Sequence, residues 1–192
     1  MFGASLALLV TAELGLDPWE VFHRGISTTF DVRLGAVVVG TSIAVLVVWF
    51  PLHQRPGIGT VLNAVLVGVV FEITISVLGD VDALLARWLV LASAIVLNAV
   101  GTGMYIGAGL GPGPRDGLMT GIAGPGRSIR QVRTGIETGA LGLGWLLGGT
   151  VGIGTVVYAL SIGPLVHLSL PLFTITDPST NPTQPSVTEE AR

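Results

Sequence analysis

The feature that most constrains this chain is a motif carried twice, each copy set among very apolar stretches long enough for helices. Ala108–Ala123 (AGLGPGPRDGLMTGIA) repeats Ala12–Ser27 (AELGLDPWEVFHRGIS) in worn form. The pairs Ala12/Ala108, Leu14/Leu110, Gly15/Gly111, Pro18/Pro114, Gly25/Gly121 and Ile26/Ile122 are identical, and Glu20 and Asp116 match as acids. A second echo follows at nearly the same spacing: Gly57-Ile-Gly-Thr-Val61 recurs as Gly152-Ile-Gly-Thr-Val156, with Ala64/Ala159 and Gly68/Gly163 behind it. Two motifs recurring in the same order indicate an internally duplicated chain.

Composition says what kind of duplication this is. Mean hydropathy is +0.78 and only 11% of residues are charged, against roughly 25% in an ordinary soluble domain. Apolar runs of about 18 residues or more read as membrane spans. They fall at Leu34–Leu52, Gly59–Gly79, Leu84–Ala108, Val132–Leu147 and Gly152–Phe173, with a shorter one at Phe2–Leu16. A soluble helical bundle would need polar outer faces, and these stretches are apolar all round. The expected fold is therefore an all-α membrane protein. It would have about six transmembrane helices in two inverted three-helix repeats, with short amphipathic helices after spans one and four.

The first repeat is expected over residues 1–79 and the second over residues 80–173. The tail 174–192, rich in Pro, Ser and Thr, is expected to be disordered. About twice as many apolar residues precede Gly109 as precede its counterpart Glu13, so a curtailed first span is expected. Three spans per repeat is an odd number, so the second repeat must enter the membrane with opposite polarity. Arg55, Arg115, Arg127, Arg130 and Arg133 fall on one side, and Arg24, Arg33 and Arg87 on the other. The basic excess places both termini in the cytoplasm.

Asp17-Pro-Trp-Glu20 has the grammar of a helix start, with Asp at N-cap and Pro at the first helical position. Gly113-Pro-Arg-Asp116 is the same start with Gly as cap. Each long helix should therefore break near Gly15 or Gly111, and a short helix should begin at Pro18 or Pro114. Trp19, Phe22 and Ile26, and likewise Leu118, Met119 and Ile122, give those short helices an apolar face. Pro18, Trp19, Glu20, Pro114, Arg115 and Asp116 are the candidate solute-binding residues. Two readings of Arg115 stand open: it pairs with acids such as Glu20 and locks the repeats together, or it clamps an anionic ligand.

Ionisable groups inside membrane spans are expensive and point to function. Glu72 and Glu137 are the candidate ion-coupling sites, with an i,i+4 pair to Arg133 as the plainer account of Glu137. Asn63 and Asn98 suit interhelical hydrogen bonds. The small-residue faces Gly59/Ala64/Gly68 and Gly135/Gly139/Gly142 suit close helix packing. No Lys and no further glycine pattern supports a phosphate loop. The absence of Cys removes thiolate chemistry, and His23, His53 and His167 are expected to stand in neither His-x-x-x-His nor Glu-x-x-His spacing, so no metal site or cofactor is expected. No catalytic constellation is found, and no basic tract suggests nucleic acid.

The run Gly109–Met119, the run Gly148–Thr155 and Gly163-Pro164 resemble the YczE-type membrane proteins, and more loosely the YitT group. Leu14–Glu20 and Arg55–Thr60 are similar to that family's first half. The resemblance covers nearly all of residues 1–167 and implies a polytopic bacterial inner-membrane protein rather than a particular activity. Transport or export of a small polar or anionic solute is the leading expectation. The alternative is an accessory protein that stabilises or recruits a membrane enzyme complex. The bilayer, a small solute, and a second copy or another membrane protein are the expected partners. Reporter fusions at Arg127 and Arg192 should both read as cytoplasmic, and a periplasmic signal from both would reverse the assigned orientation.

Overall fold

The computed structural model describes residues 1–173, and they form eight α-helices and one short 3-10 turn. The helices are α1 (Phe2–Ala12), α2 (Pro18–Phe30), α3 (Leu34–Trp49), α4 (Ile58–Val77), α5 (Leu84–Gly107), α6 (Pro114–Ala123), α7 (Ile129–Leu146) and α8 (Ile153–Phe173). The tail expected beyond Phe173 lies outside the described residues. Both motif copies break their long helix in the same way. Glu13 caps α1 in the left-handed region, and Gly109 sits there after α5. Two residues further on, Gly15 (φ 124°) and Gly111 (φ 109°) hold backbone that an L side chain rarely adopts.

Three helices, α4, α5 and α8, are long and apolar enough to cross a membrane. The pair α2 and α3, bent by 115°, counts as a fourth if taken as one broken span. These three match the spans expected at Gly59–Gly79, Leu84–Ala108 and Gly152–Phe173. The other expected spans are shorter or more polar helices. Helix α1 has 11 residues, reaching about 16 Å at 1.5 Å per residue, against about 30 Å of hydrocarbon. Helix α3 stops after 16 residues where Phe50 and Pro51 follow. Helix α7 has 18 residues and carries Arg130, Arg133 and Glu137.

Short α1 is nevertheless the centre of the molecule. It lies between α4 and α5, and Leu6, Ala7, Leu9 and Ala12 are fully buried beside Phe71, Leu91, Ala94 and Ile95. Gly3 is what lets it approach α4, since a Cβ there would collide with the Val67 carbonyl. Asn98 ties three helices at this centre. Its amide donates to Ser5 Oγ (3.0 Å), and its carbonyl accepts from the Tyr158 hydroxyl (3.3 Å).

The remaining helices pack in pairs, α5 on α8, α3 on α4, α2 on α7, and α6 on both α3 and α7. In the α3–α4 seam, Gly68 meets the Gly35 carbonyl, and Glu72 Oε1 accepts from the Gly35 N–H at 2.8 Å. Glu72 thus supplies negative charge to the first turn of α3, where free N–H groups favour it. The expected face Gly59/Ala64/Gly68 does pack closely: Gly59 sits on Leu110, Ala64 is buried and Gly68 meets α3. The expected face Gly135/Gly139/Gly142 does not. All three glycines look onto open space, and α7 touches α2 through Ala140 and Gly144 on another face. A Cβ on Gly144 would collide with the Val21 and Phe22 backbone.

The two kinds of glycine should therefore respond oppositely to alanine. Gly144→Ala should lose about 1–3 kcal/mol by overpacking, whereas Gly139→Ala should be neutral or gain up to about 1 kcal/mol of helix propensity. Thermal unfolding in detergent measures both, and equal effects would refute the α2–α7 contact.

Candidate functional site

The site is built from the two motif loops, each held by the other copy's Gly-x-Gly-Thr turn. The Gly59 N–H donates to the Leu110 carbonyl (3.1 Å), and the Gly154 N–H donates to the Leu14 carbonyl (2.7 Å). The Thr60 hydroxyl adds a bond to the Pro112 carbonyl (2.7 Å), and the Trp49 indole N–H one to the Pro114 carbonyl (3.0 Å). Non-helical backbone away from water needs such partners, because an unpaired buried carbonyl costs about as much as a lost hydrogen bond.

With the loops fixed, two helix starts face each other. Asp17 caps α2 through Oδ1, which accepts from the N–H groups of Trp19 (2.8 Å) and Glu20 (3.0 Å). Pro18 and Pro114 occupy the first helical positions of α2 and α6. Arg115 projects from α6 onto α2. Its Nη2 lies 3.1 Å from Glu20 Oε1 and its Nη1 3.9 Å from Asp17 Oδ1, and its Cζ stacks 5.0 Å from the centre of the Trp19 ring. Trp19 and Arg115 are equivalent positions of the two motif copies, so the copies meet at matching residues. Of the two readings of Arg115, the structure displays the protein partner.

His23, one turn beyond Glu20, places Nδ1 3.0 Å from the same Oε1. Asp17, Trp19, Glu20 and His23 are only 3%, 7%, 0% and 1% exposed. Yet Asp17 Oδ2, Trp19 Nε1, Glu20 Oε2 and His23 Nε2 have no hydrogen-bond partner among the described residues. Buried polar atoms are usually satisfied, and four unsatisfied ones on α2 and its cap make this cluster the candidate site. On the other side of Arg115 lies a cavity of about 30 Å³, bordered by Ser42, Asn63, Tyr105, Pro114, Arg115 and Asp116 among others. That is room for about one water. The Tyr105 hydroxyl donates to Asp116 Oδ2 at its edge.

The expected site residues thus divide. Trp19, Glu20 and Arg115 form the buried cluster, Pro18 and Pro114 start the helices that present it, and Asp116 faces the small cavity. Glu72 is bonded to α3, and Glu137 pairs with Arg133 at 2.8 Å on a half-exposed face of α7. Asp17 and His23 join the cluster although neither was among the expected binding residues. The expectation that no histidine stands in Glu-x-x-His spacing is wrong: Glu20-Val-Phe-His23 has it, and three residues along a helix put both side chains on one face, 3.0 Å apart. Among the described residues no three His, Cys, Asp or Glu side chains are grouped to hold a metal ion.

Removing Arg115 strands the fully buried Glu20 carboxylate, whereas removing Glu20 leaves a guanidinium that is partly exposed. Arg115→Ala should destabilise by about 3 kcal/mol, and Glu20→Gln should lose stability as well. The double variant should recover at least about 1 kcal/mol of the summed loss in a double-mutant cycle. Simple additivity would mean that the two side chains do not interact.

Residues 1–171 match the model of a family of unknown function (DUF6198). The chain is 40% identical over 173 residues to an uncharacterized protein of Haemophilus influenzae, covering 88% of this chain and 78% of the relative. It is 35% identical over 175 residues to the uncharacterized membrane protein YczE of Bacillus subtilis, covering 88% and 80%. No solved structure matches it.

Proposed function

The chain belongs to that family of unknown function and is a multi-pass membrane protein, and from this premise we propose that it transports a small polar solute. The observation that carries the reading is the cluster of buried, incompletely satisfied Asp17, Trp19, Glu20 and His23 against partly exposed Arg115, built where two broken helices meet. Broken helices around a central polar site are the usual device of secondary transporters. Because two carboxylates already answer the guanidinium, the site suits a solute carrying both donors and acceptors better than a simple anion.

Six membrane segments in two inverted three-helix repeats, in the bacterial inner membrane with both termini cytoplasmic, complete the proposal. The reciprocal bonds of Gly59 to Leu110 and Gly154 to Leu14 support it, since a pseudo-two-fold axis would generate one from the other. A difference between the repeats supports transport in particular. The α3–α4 seam is shut by Gly35, Gly68 and Glu72, whereas Gly135, Gly139 and Gly142 on α7 and Gly163 on α8 look onto open space. One closed and one open seam is what alternating access requires of two similar halves.

The rival reading, an accessory protein, draws on an open apolar groove of about 680 Å³ lined by Ile43, Leu46, Val47, Val48, Phe50 and Pro51. Lipid would cover such a surface equally well. A thermal-shift screen in detergent against small polar metabolites decides between them. A transported solute should raise apparent stability by about 2.7 kcal/mol at a hundredfold excess over its Kd, and Trp19→Phe, which removes one free donor, should weaken it at least tenfold. If no solute stabilises the protein and none crosses proteoliposomes that contain it, the transport reading fails.

A further inference from the structure

We propose that the end of the bundle carrying Arg55, Arg127 and Arg130 is a binding site for anionic phospholipid. One acyl chain lies along the end of α3, and the phosphate sits on the arginines. The inference rests on the placement of charge and apolar surface and does not need the transport reading.

Packing of the loops fixes which residues share that end. The end of α5 meets the end of α8 where Gly107 packs on Phe173, and the start of α4 joins them where Gly57 and Gly59 pack on Leu110. Gly121 of α6 packs on Leu52 and Gln54, so the loops that bear Arg55 and Arg127 lie together. Helix α7 starts there as well, with Arg130 in its first turn.

Charge is divided between the two ends of the molecule. Arg55, Arg127 and Arg130 are exposed, and none is ion-paired among the described residues. The acids nearest to them are engaged, Asp116 by Tyr105 and Glu137 by Arg133. The exposed acids lie at the other end. Glu13 pairs with Arg87 at the start of α5, and Asp80 and Asp82 stand in the α4–α5 loop. Asp31 follows α2, whose Thr29 hydroxyl donates to the Leu147 carbonyl at the far end of α7. Basic residues unopposed at the membrane surface attract anionic headgroups.

An apolar groove begins beside those arginines. It measures about 680 Å³ and is lined by Ile43, Leu46, Val47, Val48, Phe50 and Pro51, with no polar side chain. The chain then turns back on itself. The His53 N–H donates to the Phe50 carbonyl (3.1 Å) and the Gln54 N–H to the Trp49 carbonyl (3.1 Å), which sets Arg55 at the groove's rim. A groove for hydrocarbon with cations at one end matches a lipid with an acyl chain and a phosphate. A free phosphate would use only the arginines, and a zwitterionic lipid chiefly the groove. A second copy in a two-fold contact would bring the same arginines against these, which like-charge repulsion disfavours.

The test uses the full chain in a nonionic detergent, with Asp177, Glu189 and Glu190 present. Dioleoyl phosphatidylglycerol and dioleoyl phosphatidylcholine share their chains and differ in charge. Each is titrated in, and bound lipid is counted by native mass spectrometry. Glycerophosphoglycerol, the anionic headgroup without chains, is the third probe. Phosphatidylglycerol should bind at least about tenfold more tightly than either of the others. Arg55→Gln, Arg127→Gln and Arg130→Gln combined should abolish its advantage over phosphatidylcholine. Arg24→Gln with Arg33→Gln, at the far end, should leave that advantage unchanged. Val47→Trp, which fills the groove, should weaken both lipids. Equal binding of the two lipids overturns the proposal. So does an advantage that survives the triple variant or is lost in the far-end variant, or lipid binding indifferent to Val47→Trp. A headgroup that binds as tightly as the lipid would make this a site for soluble phosphate esters and overturn it too. Should the triple variant not fold, Arg55→Gln alone must cut the advantage by about threefold or more, and no loss would overturn the proposal. A protein that selects this lipid and moves no solute would keep this site and lose only the transport reading.

Discussion

The fold turns on how a carboxylate with no exposed surface is kept charged inside an apolar molecule. Glu20 is met by Arg115, 95 residues away in sequence, and the guanidinium reaches Asp17 as well. The bridge spans two motif copies, so it can exist only if both loops are held in place. They are held because each Gly-x-Gly-Thr turn donates a backbone N–H to the other copy's loop. Desolvating three charges is costly, and the stacking of Arg115 on Trp19 and the helix cap at Asp17 offset part of that cost. The electrostatics of the site and the topology of the chain are therefore one constraint seen from two ends.

Glycine supplies the complementary constraint. In lipid there is no hydrophobic force between helices, so association depends on close backbone approach and on interhelical hydrogen bonds. Gly3, Gly68 and Gly144 provide the approach at three different seams, and Ser5, Asn98 and Ser169 provide the bonds. At Gly135, Gly139, Gly142 and Gly163 a side chain would meet open space. The same residue type thus closes some seams and faces open space elsewhere.

The polar side chains show how a shared chemistry separates into different tasks. Glu20 and Glu72 are both acids within apolar helices, and both invite a functional reading. Glu72 is answered by a backbone N–H at the start of α3, so its negative charge completes a helix terminus. Glu20 is answered by a guanidinium and an imidazole, with Oε2 left over. Residual unsatisfied capacity, rather than burial alone, is what distinguishes the site.

Much was legible in the chain itself. The helix starts at Asp17-Pro18 and Gly113-Pro114, the breaks before them, and the long apolar helices α4, α5 and α8 follow from local stereochemistry and hydropathy. Both act within a few residues and need no tertiary information. The pairing of Arg133 with Glu137 is local too, one helical turn apart. The Glu20-x-x-His23 spacing was equally local, and reading it as a shared helix face would have brought His23 into the site. What no window of sequence contains is which cation answers Glu20, which of two glycine stripes finds a neighbour, and whether Glu72 meets a helix end or an open cavity. The contacts of Glu72 and Glu20 alone join residues 37 and 95 apart. They are decided by the packing that satisfies most of the buried charge at once, and only the tertiary structure records which packing that is.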